Sequence, residues 1–76
     1  MKKVYLIRED NHGAIGVAES YTGVCLCLTV NCWLTPGEMA EVLNKGRENF
    51  ETALEEHGIF LEEVELWGWQ NAIPML

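Results

Sequence analysis

The sequence predicts an α+β domain in which a three-stranded antiparallel sheet carries two helices on one face, in the order β-β-α-α-β. Two short runs rich in Val, Tyr and Ile flank a polar turn, and a later helix-capping signal opens a long helical pattern. The run after this helical pattern alternates between the two faces expected of a strand, and it predicts the last strand of the sheet. With 76 residues, the chain is expected to form one small domain, 1–76.

The first two strands are expected to form a hairpin. Residues 2–8 and 14–19 have the β-branched and aromatic content of strands, and residues 9–13 (EDNHG) between them accept turn geometry. Apolar side chains occur on both faces of the first strand. We therefore expect this strand to be covered on both sides or to lie at the centre of the sheet.

Residues 21–34 (YTGVCLCLTVNCWL) leave two interpretations open. The β-branched residues and Gly23 slightly favour a strand, which would give a four-stranded sheet with one long helix as the runner-up fold. The near-continuous apolar run also fits a buried helix. On such a helix, one stripe would hold Tyr21, Val24, Cys25, Leu28 and Cys32.

A long helix is predicted from about Pro36 to His57. Thr35 is placed as the N-cap, Pro36 at the first helical position and Glu38 at the third, which is a capping box. Gly58 follows as a stop signal. Gly46 in mid-helix would be explained by the close crossing of another element. The stripe expected to face the core holds Met39, Leu43, Gly46, Phe50, Ala53, Leu54 and His57.

Residues 60–69 (FLEEVELWGW) alternate, which predicts the third strand. One face of this strand is expected to be half acidic, since Leu61, Glu63, Glu65, Trp67 and Trp69 share it. Residues 70–76 form a short apolar tail.

The charge balance excludes several classes of partner. The formal net charge is −7, and all of it lies in residues 38–76, because the charges of residues 1–37 sum to zero. This acidity argues against direct binding of DNA, RNA or anionic lipid. No apolar run approaches the roughly 20 residues of a membrane span.

The residues that commonly carry chemistry are few. Ser20 is the single serine and Asp10 the single aspartate, and both occupy predicted cap or turn positions. The three cysteines do not have a standard zinc spacing, and their odd number favours a reducing, cytoplasmic compartment. We therefore expect no enzymatic activity, no cofactor and no metal site.

A binding surface is the stronger expectation. Trp67 and Trp69 share a strand face with Tyr5 beside them, and tryptophans with an acidic rim are typical of protein interfaces. The alternative is that the tryptophans cover the open face of the sheet. An apolar second face could also form a homodimer. The predicted partner-binding residues are Tyr5, Glu48, Glu51, Glu55, Glu63, Glu65, Trp67 and Trp69.

The hairpin segments VYLI, EDNHG and IGVA, together with the later FLEEVEL strand, resemble a group of small uncharacterised proteins from Firmicutes bacteria and their phages. The resemblance is strongest over residues 1–20 and weaker over 59–67. It implies a helix for residues 21–33, and this decides between the two folds. It also implies a protein-binding module of phage or mobile-element type, with inhibition of a host or bacterial-defence complex as the expected role. The alternatives are an acidic nucleic-acid mimic that occupies a basic groove and a small self-associating structural protein.

Overall fold

The computed structural model describes residues 3–65 and contains a three-stranded antiparallel sheet with strand order β2-β1-β3. The elements are β1 (Lys3–Glu9), β2 (Gly13–Ala18), α1 (Tyr21–Val30), α2 (Pro36–Asn44), a 3₁₀ turn (Arg47–Asn49), α3 (Phe50–Glu55) and β3 (Ile59–Glu65). The predicted fold class and order are confirmed. The four-stranded alternative is wrong, because residues 21–30 are helical.

The central position predicted for β1 is confirmed. Val4 on one face of β1 and Ile7 on the other are both buried. Ile7 lies opposite Leu61 of β3 and Gly16 of β2, and the pairing with β2 shifts just after Ile7 in a bulge. The helices pack on the face that carries Ile7, because the buried apolar side chains of the helices form one cluster with it.

The core is a single cluster of apolar side chains between this face of the sheet and the helices. Burial of these side chains is the main favourable term for a domain of this size. Among the described residues, the buried members of the cluster are Ile7, Ala18, Val24, Leu28, Leu34, Met39, Val42, Phe50, Ala53, Leu54 and Ile59.

Helix α1 approaches β2 closely at Gly16. A Cβ atom at Gly16 would lie 2.6 Å from the Sγ atom of Cys27, which is a steric clash. The Cys27 side chain therefore occupies the space that a side chain at position 16 would need.

Helix α1 ends in a Schellman motif. The Cys32 amide donates to the Thr29 carbonyl at 3.2 Å, and the Trp33 amide donates to the Leu28 carbonyl at 2.8 Å. Cys32 takes the left-handed position of the motif with φ 63°, where glycine is usual. The prediction that Cys32 belongs to the buried stripe of α1 is wrong, because Cys32 lies beyond the end of the helix and is exposed.

The predicted capping box is present at the start of α2. The Thr35 hydroxyl accepts from the Glu38 amide at 3.1 Å, and the Glu38 carboxylate accepts from the Thr35 amide at 2.9 Å. The pKa of Glu38 is lowered, mainly because its carboxylate accepts the hydrogen bond from the Thr35 amide. The helix start therefore follows the sequence signal closely.

The continuous helix predicted to His57 is wrong, because the chain leaves the helix at Gly46. The backbone of Gly46 has φ 91° and ψ 156°, a region open almost only to glycine. No atom within 4 Å would meet a Cβ at this position, so the close crossing predicted there is wrong as well. Val42 is buried, whereas Leu43, predicted for the core, is 54% exposed.

The end of the chain lies outside the described residues. This applies to the predicted last residues of the third strand, with Trp67 and Trp69, and to the predicted tail 70–76. Among residues 3–65, no helix is long and apolar enough to cross a bilayer.

The helix break predicts opposite effects for two glycine substitutions. Gly46→Ala should lower the free energy of unfolding by about 1–3 kcal/mol, because alanine is strained at this backbone conformation. Gly37→Ala is the control, since Gly37 lies in α2 with no positive φ and with space for a methyl group. It should be neutral or stabilising. Urea unfolding measures both, and a stabilised Gly46→Ala variant would indicate a continuous helix.

The Schellman motif predicts that Cys32→Gly raises the free energy of unfolding by about 0.5–1 kcal/mol, because glycine relieves the left-handed conformation. Cys32→Ala removes the same thiol but keeps the strain, so it should bring no gain. Thermal unfolding under reducing conditions compares the two variants. Equal stabilisation by both would mean that the thiol, and not the backbone, is responsible.

Candidate functional site

An aromatic cluster forms where the chain re-enters a helix after Gly46. The ring of Tyr21 in α1 lies 4.5 Å from the ring of Phe50 and 5.2 Å from the ring of Tyr5, measured between centroids. The guanidinium carbon of Arg47 lies 5.1 Å from the centroid of the Tyr21 ring, which is a cation–π contact. The cluster therefore joins β1, α1, the 3₁₀ turn and α3.

A cavity of about 200 Å³ opens beside this cluster. We call it the aromatic cleft. By itself it is smaller than the roughly 300–1,000 Å³ of typical small-molecule sites, and it has room for a single side chain. A wider and more open basin of about 520 Å³ shares Tyr21 and Arg47 with it and is also lined by Tyr5 and Glu48. The lining residues of the aromatic cleft are Tyr21, Thr22, Cys25, Leu43, Gly46, Arg47 and Phe50.

The hydroxyl of Tyr21 is held by a carboxylate. It donates to Glu51 Oε2 at 2.5 Å, and this bond links α1 to α3. The hydrogen bond to Glu51, followed by burial, raises the pKa of Tyr21 to about 12. The hydroxyl therefore stays protonated over the physiological range.

The thiol in the aromatic cleft is a poor nucleophile. Burial raises the pKa of Cys25, so the thiolate that would attack a substrate is disfavoured. Ser20 is engaged as the N-cap of α1, where its hydroxyl accepts from the Gly23 amide at 3.1 Å. Ser20 thus has a structural role as a helix cap.

The first histidine lies in the hairpin turn. His12 Nδ1 is 2.6 Å from Glu9 Oε1, and the His12 ring makes an edge contact with the Trp33 ring, with centroids 5.0 Å apart. The hydrogen bond with His12, followed by that from the Asn11 amide, lowers the pKa of Glu9. These contacts hold the turn against the loop after α1.

Three of the predicted partner-binding residues come together at the cleft and its basin. The Tyr5 ring contacts the Tyr21 ring, Glu48 lines the basin, and Glu51 accepts a hydrogen bond from the Tyr21 hydroxyl. Glu63 is the cross-strand partner of Tyr5 but lines neither the cleft nor the basin.

The remaining predicted residues do not line the cleft. Glu63 makes an ion pair with Lys3 at 3.4 Å, and Glu65 lies opposite Lys3 in the strand pairing. Glu55 is exposed on α3, one helical turn after Glu51. Trp67 and Trp69 lie outside the described residues.

Sequence reasoning missed the residues that build the cleft wall. Tyr21 and Phe50 are 29 positions apart in the sequence, and no local sequence pattern predicts a contact between them. One signal was available, however. Gly46 follows the last turn of α2, and the Asn49 side chain donates to the Lys45 carbonyl at 2.9 Å across the break, so the run NKGREN is a helix stop followed by a new start.

Two further findings bear on function. Within residues 3–65, no group of three or more His, Cys, Asp and Glu side chains is placed to hold a metal ion. No family model, curated protein or solved structure matches the chain, so neither a family nor a function can be taken from a relative.

The bond between Tyr21 and Glu51 predicts an unusual tyrosine titration. The chain has two tyrosines, so Tyr5→Phe isolates Tyr21, whose ionisation midpoint should stay clearly above pH 10, because the hydrogen bond to Glu51 is the largest cause of the raised pKa and only the smaller contribution of Tyr5 is lost. Adding Glu51→Ala should lower this midpoint towards 10, whereas Glu55→Ala should leave it unchanged. Ultraviolet absorbance of tyrosinate measures all three variants. An unshifted midpoint in the Glu51→Ala variant would contradict the assignment.

The same pKa has a consequence for stability. Because the pKa of Tyr21 is higher in the folded state than its ordinary value near 10, the bond stabilises the fold below pH 10. This contribution is lost as the pH rises from about 10 through about 12. Unfolding by urea across this range should show the loss in the wild type and a smaller loss in Glu51→Ala.

Proposed function

We propose that this chain is a non-enzymatic protein-binding module and that it binds through the aromatic cleft. The observation that carries the proposal is the exposure of Leu43. This side chain is 54% exposed although it lies at an apolar cleft with Tyr21 and Phe50. An apolar side chain of a partner would cover it and fill the cleft.

The residue types at the cleft support a protein partner. Tyrosine and arginine are enriched among the residues that dominate binding energy at protein interfaces, and here the Arg47 guanidinium lies over the Tyr21 ring. The cavity of about 200 Å³ accommodates one anchoring side chain. The packing of aromatic rings from three elements also holds the cleft in shape, which reduces the entropy lost on binding.

The charge around the cleft indicates the kind of partner. Glu48 lines the basin and Glu51 stands beside Tyr21, within the half of the chain that carries the whole net charge of −7. Such a rim attracts a basic segment and repels an acidic one. The proposed ligand is therefore a basic protein surface with one protruding apolar side chain.

The narrower function, inhibition of a host or defence complex by a protein of phage or mobile-element type, rests on the sequence resemblance alone. It concerns only the identity of the partner, and it requires no feature of the aromatic cleft beyond those given above. We also propose a cytoplasmic location, because three free thiols are typical of a protein in a reducing compartment.

Matched variants test the cleft. Leu43→Glu places a charge at the cleft, whereas Val17→Glu places the same charge on a side chain of similar exposure, 58%, on β2. A protein captured from a bacterial lysate by the wild type and by Val17→Glu should be lost with Leu43→Glu and with Arg47→Ala. Retention by Leu43→Glu would exclude the cleft as the binding site.

Salt separates this proposal from nucleic-acid mimicry. Binding through an apolar anchor should persist at about 0.5 M salt, where charge interactions beyond about 4 Å are screened. A mimic should release its partner there, and it should depend on Glu48, Glu51 and Glu55 instead of Leu43. Trp67→Ala, read in the same capture experiment, tests the predicted contribution of the residues beyond the described range.

A further inference from the structure

The sheet face opposite the helices carries five apolar side chains. Ile7 and the residues that share its face pack against the helices, so the alternate positions of the three strands lie on the other face. A sheet face that is left to water normally carries polar side chains. Arg8 and Glu62 lie there as well, and they pair with each other at 3.2 Å. We call this surface the Val4 face, and its apolar side chains are Val4, Leu6, Val17, Phe60 and Val64.

Exposure on the Val4 face is very uneven. Val17 is 58% and Phe60 is 38% exposed, whereas Val4 is only 2% exposed. Side chains stand roughly perpendicular to a sheet, so a cross-strand neighbour such as Val64 flanks Val4 without lying over it. A burial this complete requires other atoms above the face. The helices cannot supply them, because they pack on the opposite face and Val4 is not part of their core cluster.

We propose that residues 66–76 of the same chain cover the Val4 face. Glu65, the last residue of β3, is paired with Lys3, so residue 66 follows at the end of the face that holds Val4 and not at the end that holds Phe60. The burial of Val4 is a property of a single chain, which selects a segment of this chain over a second copy or a partner.

The composition and length of this segment fit the face. None of its eleven residues is charged, which sets it apart from the acidic strand before it. Eleven extended residues reach about 36 Å, which exceeds the roughly 23 Å spanned by the seven residues of β1. By contrast, residues 1–2 at the same end of the face supply one apolar side chain and a lysine. The larger apolar side chains of the segment are Leu66, Trp67, Trp69, Ile73, Met75 and Leu76.

This arrangement gives the two tryptophans a role in the fold. Trp67 and Trp69 then stabilise the sheet and do not belong to the surface that a partner meets. The aromatic cleft is formed on the helix side by residues such as Tyr21 and Phe50, so it stays open when the Val4 face is covered. The inference is therefore independent of the binding proposed for the cleft.

Nuclear Overhauser contacts in the full chain test the proposal. Protons of residues 66–76 should show contacts to the methyl groups of Val4 and Val64, and none to those of Val42 in the helix-side core. In a sample that mixes labelled and unlabelled chains, these contacts should stay within one chain. The proposal is overturned if Val4 has contacts only to Met1 and Lys2, only to residues 3–65, or only to a second chain.

Double-mutant cycles measure the same contact through stability. Val4→Ala should be coupled to Trp67→Ala or to Ile73→Ala, so that their joint effect on the unfolding equilibrium constant differs from the product of the single effects by about five-fold or more. Val42→Ala is the matched control, because Val42 is also a valine, is 1% exposed and lies on the helix side. Its effect should simply multiply with those of the two segment variants. Urea unfolding gives all the constants, and an absence of coupling between Val4 and both segment positions would contradict the proposal.

Discussion

The backbone conformation of Gly46 is the constraint on which the candidate site depends. With φ 91° and ψ 156°, the chain ends α2, turns through Arg47–Asn49 and begins α3 in a new direction. This change of direction brings Phe50 to Tyr21 and lays Arg47 over the same ring. Leu43, at the end of α2, is exposed and lines the cleft together with Gly46.

The aromatic cleft and the outer face of α1 differ in their physical character. The cleft is concave, has aromatic side chains in its wall and lies beside carboxylates. The outer face of α1 is uncharged, with Leu26 and Val30 exposed on it. A partner of the cleft would meet both shape and charge, whereas the outer face of α1 offers apolar contact alone. Thr22 lines the cleft and is also exposed on α1, so the two surfaces adjoin.

The sequence was sufficient where the determining interactions are local. The hairpin turn and the capping box at Thr35 are specified within five residues each, and both were predicted. The break at Gly46 could not be seen from periodicity, because Met39, Phe50 and Leu54 keep helical spacing across it. Helix α1 was ambiguous for a related reason, since a segment that is apolar on all sides shows no period at all. The cleft depends on the distant pair Tyr21 and Phe50, and only Tyr5, Glu48 and Glu51 on its borders were predicted.

The close approach between β2 and α1 also has an evolutionary consequence. Since a methyl group at Gly16 would overlap the Cys27 sulfur, the two positions share one volume. A homologue with alanine at position 16 should carry a smaller side chain than cysteine at position 27, and a larger residue at 27 should be found only with glycine at 16. In sequences of homologues, positions 16 and 27 should therefore change together, even where neither position keeps a single residue type. The thiol of Cys27 would then be retained for its size and not for its reactivity.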